Sequence, residues 1–318
     1  MGLPQLSASR APSVALRAAR LTFPHQVLLV SALPWVLFLI LRVQGQMPMV
    51  FVVLALGLGT PHVLATAALY LDPGLRDHVR AHRTRYLVAP AAVLVIATVA
   101  FAAAPTRAAT FLLLGFLLWQ THHFTKQNLG MVAFSLRATK RPGLTTRERR
   151  LILGTTAIGA LGVIRLMGLA PSVDGPLRAA GVAMLVVAAA VAVRPGDLRR
   201  SATLLGPVAF YSPLLLFSVD LGTAALAYQA AHGAQYYLMT AHAARPTPAA
   251  RRDVLVLLLV GGPLIAAASL LGPYGGEAWV FGAAKGVVAA HFIADAGFWR
   301  LRDPEIRGFM QKRFVFLG

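Results

Sequence analysis

The chain has 318 residues, of which 57% are hydrophobic and 13% charged, and its mean hydropathy is +0.67. Soluble domains carry about 25% charged residues, so this composition points to an integral membrane protein. It leaves no room for a second soluble domain, since the longest polar stretch is the loop from Arg137 to Arg150. The absence of cysteine excludes disulfides, thiolate-ligated zinc, iron–sulfur clusters and cysteine nucleophiles. The net charge of +19 is spread as short basic clusters between apolar runs. That is the positive-inside pattern of membrane proteins, with affinity for anionic lipid headgroups, and it argues against nucleic acid as a partner.

A hydrocarbon core of about 30 Å takes roughly 20 apolar residues per helix. Ten segments qualify: about 26–42, 48–71, 86–104, 108–134, 151–170, 177–193, 202–219, 221–241, 253–271 and 277–299. Pro34, Pro207 and Pro213 fall inside predicted spans and are expected to kink them. The expected fold is all-α, a polytopic transmembrane helix bundle of about ten spans over 26–299. It is flanked by a basic tail at 1–25 and another at 300–318. The first 20 residues lack a small-residue cleavage site after a short apolar core, so they read as a cytosolic tail.

With the N-terminus inside, 24 of the 30 basic residues fall in inside segments and only Arg42, Arg107 and Arg178 fall outside. Lys126, Arg165 and Lys285 are left within spans. This asymmetry predicts that both termini are cytosolic and that the protein is multi-pass in the inner (cytoplasmic) membrane.

Four apolar segments contain histidine: His62 in span 2, His122 and His123 in span 4, His232 in span 8 and His291 in span 10. All four spans run from outside to inside. At 1.5 Å per residue the histidines lie roughly 13–22 Å from the inner boundary. An ionisable group in a membrane span is costly and marks a functional site by default, and neutral imidazole is the commonest metal ligand. Agreement in direction and depth points to one shared site.

Each segment also admits a plainer reading. His291 and Asp295 share a helix face at i, i+4. Asp295 is a direct ligand, or orients the imidazole from behind, or forms a purely structural pair. In span 4, His122 shares a face with Lys126 and His123 shares one with Gln127, about 100° around. Two adjacent histidines would serve two ions side by side, or belong to a polar seam between helices. Lys126 needs an anionic partner, for which Asp295, a lipid phosphate and an anionic substrate are candidates.

In span 8, Gln229, Gln235 and Tyr236 flank His232 on its face, and Gly233 permits close approach of a helix or ligand. The two glutamines suit bonds between helices; alternatively they position substrate or water. Gly57, Gly59 and Pro61 would bend span 2 and aim His62 inward. His78 and His82, in the loop of Arg76 to Arg85, read as solvated or lipid-facing. Arg165 reads as snorkelling outward or meeting a substrate carboxylate.

The metal ligands expected from this pattern are His62, His122, His123, His232, His291 and Asp295. Lys126, Gln127, Gln235 and Tyr236 are expected as catalytic or positioning groups. No H-E-x-x-H, G-x-S-x-G or P-loop motif occurs. Imidazole suits iron, zinc, copper and nickel. A mixed His/Asp set with open positions fits oxygen-activating iron better than a closed zinc site.

Lone histidines inside separate apolar spans resemble the histidine-rich integral membrane non-haem iron oxygenases, loosely the Brp/Blh β-carotene dioxygenase type. The resemblance implies one or two irons, molecular oxygen, a lipophilic substrate and a redox partner. The chain departs from that group in lacking H-x-x-x-H and H-x-x-H-H boxes, with His291 and Asp295 standing where one pair would be. This leaves substrate and iron count open. Two other classes fit the same residues: a haem-b electron carrier with axial histidines, and a metal- or proton-coupled transporter with a His/Asp/Lys relay.

Overall fold

Apolar runs broken by Gly, Pro and short polar loops favour helices, because in a lipid phase each backbone amide must find its partner within its own segment. The computed structural model describes residues 22–44, 55–168, 171–217 and 220–317. All regular structure among them is helical. The basic stretch before residue 22 lies outside the described residues.

Helix α1 is Phe23–Gln44. The described part of the second predicted span is not one rod. A π turn at Ala55–Gly59 leads to α2 (His62–Ala65) and α3 (Ala67–Tyr70). Next come α4 (Arg76–Ala81), a π turn at Thr84–Val88 with α5 (Ala89–Ala103), and the 33-residue α6 (Thr106–Ala138). At about 1.5 Å per residue, α6 is far longer than a hydrocarbon core. Helices α7 (Thr146–Leu166) and α8 (Asp174–Ala192) follow.

The seventh predicted span breaks into α9 (Leu198–Phe210) and α10 (Pro213–Leu216). Proline at 213 cannot donate to the carbonyl of Ala209, and Trp35 Nε1 donates there instead at 3.1 Å. Beyond it lie α11 (Leu221–Ala243), then α12 (Pro248–Val256), a π turn at Leu257–Gly261 and α13 (Gly262–Leu270). The chain closes with α14 (Ala278–Phe298) and α15 (Pro304–Arg313).

Five helical stretches are long and apolar enough to cross a membrane: Phe23–Ile40, Thr84–Ala103, Asp174–Ala192, Pro248–Ser269 and Gly275–Phe298. They mark the chain as a membrane protein. Most described residues of the remaining predicted spans also lie on helix, but these spans are interrupted or carry the polar residues of interest.

Two close approaches position the histidine-bearing helices. Helix α14 lies along α5, where a Cβ on Gly286 would come within 2.7 Å of Leu94 O. Helix α11 lies against the π turn, where a Cβ on Gly233 would stand 1.5 Å from Leu58 O. No side chain fits at Gly233, so the residue beside His232 must be glycine for His62 to come near.

The loops of one end of the bundle are pinned together, and we refer to this as the basic end. Phe23 packs on Phe134, His242 and Phe314. The last helix, inside the predicted basic tail at 300–318, packs back on the bundle: Ile306, Phe309, Met310 and Phe314 are buried in a core with Tyr86 and Phe298. Arg313 bonds both oxygens of the fully buried Asp72, at 2.9 and 3.0 Å. His78, expected to be solvated or lipid-facing, is buried between Glu305 (2.6 Å) and Tyr86 Oη (3.1 Å). Thr145 and Glu148 form a reciprocal capping box at the start of α7. Arg200 bonds Glu148 through Nε at 2.7 Å and Nη2 at 2.6 Å. Arg165 neither snorkels nor stands free, since it pairs with Asp174 at 3.0 Å and donates to Leu214 O.

Candidate metal centre

Four imidazoles from four segments meet in the interior. Neighbouring ring centres are 4.7 Å apart for His62–His232, 4.9 Å for His232–His123, 5.3 Å for His123–His291 and 5.2 Å for His291–His62. His232 is fully buried and none of the four is more than 9% exposed. Asp295, one turn beyond His291, turns Oδ2 toward the same space, 3.6 Å from His291 Nε2 and 3.8 Å from His123 Nε2.

The local sequence explains each placement. Pro61 cannot donate to Gly57 O, which takes the Tyr237 hydroxyl at 3.3 Å instead. The bend frees Gly59 O as well, and His62 Nδ1 donates to it. His291 Nδ1 bonds Thr66 Oγ1 at 2.7 Å, Thr66 Oγ1 bonds Tyr236 Oη at 2.9 Å, and Tyr236 Oη donates to Asp295 Oδ1 at 2.8 Å. With Asp295 ionised, one arrangement satisfies every link. Nδ1–H of His291 donates to Thr66, Thr66 donates to Tyr236, and Tyr236 donates to the carboxylate.

Both His62 and His291 are thereby held with the lone pair on Nε2, the tautomer a metal needs. Flat faces hold the other two rings. Phe292 stacks on His123 at 4.2 Å and Phe124 on His232 at 4.1 Å.

The polar atoms left over are the decisive feature. Nε2 of His62, His123 and His291 and both ring nitrogens of His232 are buried without a hydrogen-bond partner. Buried polar groups are normally satisfied, because each orphan costs about 1–3 kcal/mol. Here the orphans cluster in one buried space, and a carboxylate oxygen turns toward two of them. Lone pairs directed at one another repel unless a cation lies between them. The size also fits. An imidazole nitrogen bonded at about 2.0–2.1 Å puts its ring centre roughly 3.2 Å from the ion. The His232–His291 diagonal is 6.5 Å, and half of it matches. Two ligand triads can be drawn, His62/His232/His291 and His123/His291/Asp295, and they share His291.

The structure does not bring the other expected residues into this cluster. His122 and Lys126 are exposed on the opposite side of α6, so His123 alone of the adjacent pair turns inward. Gln127 donates to His232 O and Gln235 Oε1, both at 3.1 Å. Gln235 donates to Asn128 Oδ1 at 2.9 Å and Ser31 Oγ at 3.1 Å. Gln229 accepts from Thr60 at 3.2 Å. These amides tie α1, α6, α11 and the bent segment together. Tyr236 does reach the centre, through Asp295. Thr66 was not singled out from the sequence, although its position four residues after His62 is a usable signal.

No family model, no curated protein and no solved structure matches the chain.

Proposed function

We propose that the protein is an integral membrane metal-dependent oxidoreductase, with iron held by His62, His123, His232, His291 and Asp295 and a lipophilic substrate oxidised by O2. The observation that carries this reading is the gathering of unpartnered imidazole nitrogens and one carboxylate oxygen in one buried cluster, as two ligand triads that share His291. Four neutral imidazoles and a carboxylate suit a divalent transition metal. Oxygen chemistry at such an ion is what iron supplies when bound, and the mixed His/Asp set favours it over zinc or copper.

The chain's own groups have definable tasks. Thr66 and Tyr236 keep His291 and Asp295 in the ligating forms. Phe124 and Phe292 wall the site with apolar surface, which excludes water and suits a hydrocarbon substrate. The glutamine seam fixes the helix register on which the ligand spacing depends.

The wider reading belongs to the same proposal. It comprises about ten spans with the basic end and both termini in the cytosol, residence in the inner membrane, a redox partner on the basic face, and kinship of type with the Brp/Blh dioxygenases. A haem-b carrier fits less well, because four rings about 5 Å apart enclose a point and leave no slot for a porphyrin plane. A transporter would share the ligands and differ in assay.

The test is elemental analysis of gently purified full-length protein, with a visible spectrum and oxygen consumption in a lipid extract. The proposal expects about one or two iron per chain, in keeping with the two triads that share His291. It also expects no Soret band and O2 uptake that depends on added lipid. Metal-free protein, or substrate-independent ion flux in proteoliposomes, would overturn it.

A further inference from the structure

A second site lies at the basic end, away from the histidines. A groove of about 300 Å³ is lined by His82, Arg85, Arg300, Arg302 and Asp303. Arg85 belongs to the π turn before α5, and Arg300 follows the end of α14. Because α5 and α14 pack side by side, their basic residues share one rim. Asp303 offsets one of these positive charges and leaves the groove net basic. Asp303 accepts the amides of Glu305 and Ile306 at 3.1 and 3.4 Å, and Glu305 pairs with His78. His82 spends Nδ1 on His78 O at 3.0 Å, which leaves Nε2 for the groove. Three guanidinium groups and one carboxylate leave the depression net positive, which a bound anion would balance, and the forked donors match phosphate oxygens.

The second observation is what adjoins the groove. Directly after Arg85, the π turn presents Leu87 and Val88 and α5 continues with Val95, Ile96 and Val99, each at least half exposed. Val88, Val95 and Val99 recur on one helix face. An apolar stripe therefore runs from the basic groove along a helix long and apolar enough to cross a membrane.

We infer that the groove binds the phosphate of an anionic phospholipid, whose acyl chains lie along the exposed face of α5. This site is independent of the metal reading.

Native mass spectrometry of the full-length protein, released from micelles containing phosphatidylglycerol or phosphatidylcholine, tests it. One phosphatidylglycerol should stay bound, and phosphatidylcholine should be lost. The double variant Arg300→Gln/Arg302→Gln should retain phosphatidylglycerol roughly twenty-five-fold less well, from two charges each contributing about a factor of five. Arg300→Lys/Arg302→Lys should recover most of the retention, and Arg149→Gln/Arg150→Gln, exposed on the first turns of α7, should behave as wild type. Metal content should not change in any of them. Equal retention by the glutamine pair, equal binding of both lipids, or failure of the lysine pair to recover would each overturn the inference. Displacement of the lipid by inorganic phosphate would overturn it too, since the groove would then be a soluble-phosphate site.

Discussion

Asp72 and His62 lie ten residues apart in the chain and are both buried. Both oxygens of Asp72 are taken, by Arg313, by Arg245 N at 2.7 Å and by Gly74 N at 2.8 Å. His62 has one nitrogen bonded to Gly59 O and the other bonded to nothing. The same contrast holds across the two regions. At the basic end, Glu148, Arg200 and His78 close every polar valence within the chain, as a structural network does. Among the four histidines the unfilled valences share a centre. The lesson is that burial and polarity do not by themselves mark a site; the direction of the unsatisfied lone pairs does.

The sharpest way to break this comparison is to remove one lone pair. His232→Ala should lower iron affinity by more than about a hundredfold, beyond the usual loss for an outer hydrogen-bond partner, while the helical circular dichroism stays unchanged. His122→Ala, one residue from a ligand but facing outward, should leave metal content as it was. Equal losses in the two variants would mean that the cluster is not the metal site.

Next in size is Gly233→Ala. The added methyl cannot coexist with Leu58 O, so α11 and the bent segment must part. Overpacking of this kind costs about 1–3 kcal/mol or more. Thermal unfolding in detergent should begin earlier, with metal lost alongside.

Tyr236→Phe probes the link between ordering and ligation. It removes the hydroxyl that orients Asp295 and receives Thr66, and iron should bind about tenfold more weakly in a folded protein. Unaltered affinity would show that the chain through Thr66 is ornamental to the metal.

The smallest effect tests the closed network. The hydrogen bonds from the Arg200 side chain hold the Glu148 carboxyl at about 2, against its ordinary 4.5. A depressed carboxylate stabilises the fold fully above its unfolded value and loses that contribution as pH falls toward the folded one. Melting temperature should therefore decline between pH 4.5 and 2, and Glu148→Gln should flatten part of that decline. Asp197 supplies a share of its own, its carboxyl being held down by the backbone amide of Arg200 and then by Arg141.

Much of this was legible in the residues. Apolar runs announced the helices; matched depth and direction grouped His62, the His122–His123 pair, His232 and His291, and the four-residue spacing from His291 added Asp295. Choosing His123 over His122 was not possible from spacing. Adjacent positions differ by about 100° around the helix, and only the location of α11 and α14 says which way is inward. The glutamines near His232 were polar and buried as read, but their partners Ser31 and Asn128 come from helices whose neighbours the sequence does not state. His78 was misjudged for a related reason. A loop histidine in a basic stretch looks solvated until the last helix, 227 residues later in sequence, brings Glu305 over it.

One pairing sets the timetable of the molecule. Thr66 and His291 are 225 positions apart, yet they share a bond at the heart of the centre. A ribosome must therefore finish nearly the entire polypeptide before the ion has anywhere to settle. On the proposed metal reading, loading comes at the end of biogenesis, and a chain cut short upstream of its final apolar helix would remain empty, so that metal capture would report completed synthesis.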